Sequence, residues 1–104
     1  MKFDHVAVTS NDISRSIKWY VDNFKAEVLY EDETWGLVKV ANLKIAFVSK
    51  HQHPPHFCFE IDKQYIEKHL SDKRFKKHRD GSSSCYISDP DNNKIEFLIW
   101  NDDE

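Results

Sequence analysis

Apolar and polar positions follow two periods along this chain, and the two periods succeed each other in a repeating order. Residues 2–9 alternate, with Val6 and Val8 to one side and Phe3, His5, Ala7 and Thr9 to the other. Successive strand side chains point to opposite faces, so this run predicts a strand. Ser10-Asn11-Asp12 then offers N-cap oxygens. Ile13, Ile17, Tyr20, Val21 and Phe24 recur at helical spacing, which predicts a helix from about Asp12 to Phe24 that buries this stripe. Three β-prone runs follow at 27–31, 35–41 and 43–49, separated by Glu31-Asp32-Glu33 and Ala41-Asn42.

Residues 50–55 break the pattern. Pro54-Pro55 favours an extended linker over a helix or a central strand. The order then begins again. Residues 56–61 form a strand, with Phe57, Phe59 and Ile61 facing away from His56, Cys58 and Glu60. Asp62 caps a helix reaching about Ser71, with Tyr65, Ile66, His69 and Leu70 as its inner stripe and His69 at its flank. Strands are predicted at 75–79, 83–88 and 94–100, with turns at Asp80-Gly81-Ser82 and at Asp89 to Asn93.

The chain therefore reads as one α+β domain built from two βαβββ units, at about 1–50 and about 56–104, joined by a linker at 51–55. Two such units place their sheets side by side as a curved mixed trough, with helices on the outer face. In the last strand Ile95, Phe97 and Ile99 form a pure core face, which leaves Glu96 on the other. A carboxylate flanked by large apolar residues is costly to desolvate without a partner. His5 and His56 stand on the corresponding faces of the opening strands, so all three are expected to point into the trough.

Composition narrows the classes. With 104 residues, 39% hydrophobic and 32% charged, the chain suits a folded domain with a modest core, which pairing with a second copy would supplement. Net charge is −3 with both signs interspersed, so a nucleic-acid partner is not expected. There is neither an apolar run of membrane-spanning length nor a signal-peptide plan at the start. Cys58 and Cys85 do not form a CxxC pair; they suit reduced thiols in the cytoplasm. Six histidines against two glycines direct attention to metal ligands.

Four segments in order carry a resemblance: Phe3-Asp4-His5-Val6-Ala7-Val8; Ser16-Ile17-Lys18-Trp19-Tyr20 with Asn23-Phe24; His56-Phe57-Cys58-Phe59; and Tyr86 through Glu96 with its Asp89-Pro90-Asp91 turn. With the duplicated topology they make the chain similar to the vicinal-oxygen-chelate superfamily, which includes glyoxalase I, fosfomycin-resistance thiol transferases, extradiol dioxygenases and bleomycin-binding proteins. The family turn usually has glycine after Asp-Pro-Asp; here Asn92 stands there, a residue that also takes the left-handed region.

The resemblance implies a glyoxalase/dioxygenase-like fold and a divalent metal held by His5, His56 and Glu96. A histidine in a trough is by itself more often a hydrogen-bonded core residue, and the set of three at the family's positions shifts that balance. Iron, manganese, nickel, cobalt, zinc or magnesium would suit two imidazoles and a carboxylate, which leave open positions for a substrate with two neighbouring oxygens. The fourth-strand acid of glyoxalase I has no counterpart in Leu43-Lys44-Ile45-Ala46-Phe47-Val48. Lys76 and Tyr86 stand where the fosfomycin enzymes carry a substrate-binding lysine and tyrosine, and are the expected catalytic pair. Those enzymes also have a threonine where Ala7 stands, a potassium loop not matched by Asp80-Gly81-Ser82-Ser83-Ser84, and a final arginine beyond Glu104. A fosfomycin thiol transferase is therefore not the leading reading.

Trp35, Lys44, Ala46 and Trp100 are candidate trough lining, and Arg79 and His78 candidate anion contacts. The expected function is metal-dependent lyase, isomerase, transferase or dioxygenase chemistry on a small oxygen-rich molecule. The expected assembly is a homodimer, with exchange of βαβββ units between chains as one arrangement. The alternative is a metal-free small-molecule-binding protein of the bleomycin-resistance type.

Overall fold

The computed structural model describes residues 1–101. The element order is β1 (Lys2–Thr9), α1 (Ile13–Phe24), β2 (Glu27–Glu31), β3 (Trp35–Val40), β4 (Leu43–Val48), β5 (His56–Glu60), α2 (Lys63–His69), β6 (Lys76–Lys77), β7 (Ser82–Ser88) and β8 (Lys94–Trp100). The βαβββ order thus occurs twice, in an α+β architecture. The chain groups into two compact units: His5–His56 is one, and Met1–Asp4 with the residues from Phe57 onward is the other. None of the helices among the described residues is long and apolar enough to cross a membrane.

In the His5–His56 unit the sheet order is β2-β3-β4-β1. β1 runs parallel to β4, with Val6 opposite Ile45 and Val8 opposite Phe47, while β3 is antiparallel to both β2 and β4. Asp12 begins α1 by accepting a hydrogen bond from the Arg15 backbone N–H at 3.1 Å. Lys25 ends it in the left-handed region, its N–H reaching the Tyr20 and Val21 carbonyls. Ile13 and Ile17 press onto Val38, Ile45 and Phe47, with Val6, Val8 and Tyr20 around them. Gly36 faces that helix: a Cβ there would lie 2.5 Å from Ile17 Cδ1, so only glycine admits this approach without displacing the isoleucine. Phe24, expected in the buried stripe, is 53% exposed. It sits on the last turn, where the chain leaves the sheet, and packs instead against Trp19 and Tyr20.

In the second unit the order is β5-β8-β7-β6. Asp62 caps α2 by accepting from the Tyr65 N–H at 2.9 Å. Ile61, Leu70, Cys85, Phe97 and Ile99 form its core, with Tyr65 and Ile66 packed against them. Two expectations shift. α2 ends at His69, which is exposed, and Leu70 takes the inner position. The strand expected at 75–79 contracts to Lys76–Lys77, because beyond Lys77 the chain turns at 79–80 to enter β7.

Candidate functional site

The commitment of Val6 and Val8 to the α1 core decides the direction of His5. Alternation turns His5 and Ala7 to the opposite face, where Ala7 packs with Ala46, Val48 and Leu37. His56 opens β5 and is buried, with 7% of its surface exposed. The rings of His5 and His56 meet edge to face, centroids 5.7 Å apart at 71°. His56 Nδ1 lies 2.8 Å from the Pro54 carbonyl oxygen. A carbonyl can only accept, so Nδ1 carries the proton, and Nε2 is the ring nitrogen left to offer a lone pair to a ligand. The proline linker therefore orients an imidazole, a role its composition did not reveal.

The carboxylate half is built from the turn before β8. Asp89 Oδ1 accepts from the backbone N–H groups of Asp91 at 2.9 Å and Asn93 at 2.8 Å, and Oδ2 from the Asn93 side-chain amide at 2.8 Å. The hydrogen bonds from Asn93 hold the Asp89 carboxyl below its ordinary range. Asn92 sits at φ 68, as its place in the motif requires. Phe97 and Ile99 then enter the α2 core, which turns Glu96, Leu98 and Trp100 to the other face. Glu96 is half-buried and directly opposite Tyr86 in the β7–β8 ladder.

Cys58, fully buried, hydrogen-bonds to Glu96. Burial foremost, then the Glu96 charge and that hydrogen bond, push its thiol far above the ordinary range. It therefore stays protonated and donates into the carboxylate. Burial foremost, then Glu96 and Cys58, likewise raise the Tyr86 phenol. At neutral pH Tyr86 is a protonated donor beside an acceptor. Ser84 is opposite Leu98 and thus on the Glu96 face; its hydroxyl lies 2.7 Å from His78 Nε2. The sequence reading missed this Ser–His pair, whose only signal was a run of three serines inside a strand.

The remaining predicted residues divide. Lys76 registers with Ser84, so it shares the Tyr86 face, but it lies exposed on the outer strand. Arg79 is exposed in the turn between β6 and β7 and belongs to no strand. Trp100 is opposite Ser82 on the Glu96 face. Trp35 is opposite Val48, Leu37 opposite Ala46, and Lys44 two residues from Ala46, so all share the His5 face. Trp35 stacks on Tyr30 at 4.5 Å. A hollow beside α1, bounded by Ser10, Asp12, Arg15, Trp19 and Asp22, includes none of the predicted site residues in its walls.

The chain thus carries a duplicated βαβββ order, with a histidine on each opening strand and a carboxylate on the last. Residues 2–97 match the family model of the Glyoxalase/Bleomycin resistance protein/Dioxygenase superfamily, and the chain belongs to that superfamily. Among solved structures it resembles a superfamily member from Vibrio splendidus 12B01, with 16% identity over 94% of this chain and 99% of that one, at a TM-score of 0.67. It also resembles methylmalonyl-CoA epimerase from Mycobacterium tuberculosis, with 15% identity over 94% and 87% of the two chains and a TM-score of 0.74. A third is a structure named as NAD-dependent benzaldehyde dehydrogenase from Legionella pneumophila, with 14% identity over 91% and 96% and a TM-score of 0.68. At these identities the likeness is one of fold. No curated protein matches the chain.

Proposed function

We propose that this protein is a divalent-metal-dependent enzyme acting on a small oxygen-rich substrate, with His5, His56 and Glu96 as the protein's metal ligands. The observation that carries the reading is the imidazole pair, with His56 Nδ1 held by the Pro54 carbonyl. Metal-binding histidines characteristically donate their other ring N–H to such a partner, which fixes tautomer and orientation. The donor set fits: two imidazoles and a carboxylate that a neighbouring thiol already orients.

When bound, the ion supplies Lewis acidity to two neighbouring substrate oxygens and leaves room for both. The chain's own groups do the rest. Cys58 holds the Glu96 carboxylate in place. Tyr86, protonated, donates to a substrate oxygen on which negative charge develops, and is the candidate general acid for lyase, isomerase, transferase or dioxygenase chemistry. Lys76 and Arg79 meet anionic groups of the substrate, while Trp35, Lys44 and Trp100 bound its body. The two unjoined, buried cysteines support a reducing, cytoplasmic setting.

The test is metal titration after chelation, by calorimetry with manganese, cobalt, nickel and zinc in turn. Wild type binds about one ion per chain, and His5→Ala, His56→Ala and Glu96→Ala each weaken binding by more than the roughly 10–100-fold typical of supporting groups. Absence of binding in wild type, or binding indifferent to all three substitutions, overturns the reading and leaves the metal-free, bleomycin-resistance type. The proposed homodimer with exchanged units has its own test. Co-refolded His5→Ala and Glu96→Ala chains regain a site only if one chain's histidine serves its partner's carboxylate.

A further inference from the structure

Two outer strands of this chain carry opposite charge on edges that, among the described residues, have a neighbouring strand on one side only. β2 is hydrogen-bonded to β3 alone, and β6 to β7 alone. Residues 27–33 hold four acids, Glu27, Glu31, Asp32 and Glu33, and no base. Residues 73–79 hold five bases, Lys73, Arg74, Lys76, Lys77 and Arg79, with His78, and no acid. All five residues of β2 are exposed, among them Val28 at 45% and Leu29 and Tyr30 at 42%. Three adjacent apolar side chains open to solvent on a sheet edge make a pairing surface. That surface is pre-ordered: Tyr30 stacks on Trp35, and Asp32 accepts from the Tyr30 hydroxyl, the Thr34 N–H and hydroxyl, and the Trp35 N–H.

We propose that copies of this chain associate edge to edge, β2 of one against the 73–79 segment of another. Charge selects the pairing. Two β2 edges together would set acids against acids, and two β6 edges bases against bases; like charges opposite one another on adjacent strands are destabilising. The unlike pairing sets opposite charges across the contact and covers Val28, Leu29 and Tyr30. The register of β2 slips between Val28 and Tyr30, and such a bulge twists an edge and shortens any continuous ladder. The contact is therefore short in hydrogen bonds and rests largely on charge, which makes it reversible and salt-sensitive.

Sedimentation velocity of the full chain tests this. Association is expected to strengthen with protein concentration. It is expected to weaken by at least about tenfold between about 0.01 M and about 1 M salt, where the screening length falls from about 30 Å to about 3 Å. A variant with Glu27→Lys, Glu31→Lys and Glu33→Lys has two net-basic edges; one with Lys73→Glu, Arg74→Glu and Lys77→Glu has one acidic edge and one turned net-acidic. Each alone is expected to lose the salt-sensitive association, with unchanged circular dichroism. Mixed together they are expected to associate again, because each then meets an opposite edge. A wild type without salt-sensitive association, variants that associate as wild type does, or a mixture that does not regain that association would each overturn the proposal. An exchange of whole units between chains would leave both variants dimeric, so the two modes of association are separable.

Discussion

Lys25, Ala41 and Asn92 hold left-handed backbone, at φ 54, 54 and 68. Asparagine visits that region at little cost and alanine does not, because its Cβ crowds the following carbonyl. Ala41 sits in the tight link from β3 to β4, where Ala41→Gly is expected to stabilise the protein by about 1 kcal/mol in urea unfolding. Asp32 shows how one side chain orders a loop. The hydroxyls of Tyr30 and Thr34 foremost, then the Thr34 and Trp35 N–H groups, hold its carboxyl well below the ordinary range. A depressed carboxyl contributes stability that is fully present above its unfolded pKa of about 3.9 and is lost as pH falls through the lower folded value. Thermal melts should therefore show wild type above Asp32→Asn at pH 6, with the gap closing only as pH drops below about 4. Tyr86 is protonated by the same logic in reverse. Tyr86→Phe is expected to lower turnover by about 10²-fold while leaving metal affinity near wild type, separating a proton donor from a ligand.

Gly36 governs how α1 meets its sheet. Gly36→Ala pushes a methyl into Ile17, which is almost wholly buried, and is expected to cost about 1–3 kcal/mol in chemical denaturation. Ile17→Val removes the offending Cδ1, so the double substitution should recover part of that loss in a double-mutant cycle. Phe47→Ala, in the same layer and against Tyr20 at 4.9 Å, is expected to cost about 3–5 kcal/mol. The periodicity of α1 located Ile13 and Ile17 correctly because an apolar stripe has few places to go. It misassigned Phe24 because a helix end can splay from the sheet, and period alone carries no information on where the sheet stops. The shortness of β6 has the same origin: residues 73–79 alternate too weakly to define an edge, and their charges need water.

At the scale of the whole molecule, the proposed metal site predicts a link between metal and folding. An ion that binds only the folded state, at about a hundredfold excess over its Kd, stabilises by about 2.7 kcal/mol. Thermal shift should show this increment in wild type and lose it in Glu96→Ala, in a readout that needs no substrate. Much of the architecture was legible beforehand. Each strand or helix announces itself through local period, and the faces of β1 and β8 follow from two or three aliphatic residues apiece, so His5 and Glu96 could be placed opposite the core from the sequence alone. Repetition of the βαβββ order was legible for the same reason: it is a property of consecutive residues. Partners distant along the chain were not. That Cys58 donates to Glu96, that His78 meets Ser84 and that Pro54 fixes the His56 tautomer depend on register and backbone direction. Strand β8 lies beside β5, which precedes it by more than thirty residues. Such neighbours are selected by the burial of the whole core, a sum over both faces of every strand, and no single stretch of sequence contains that sum.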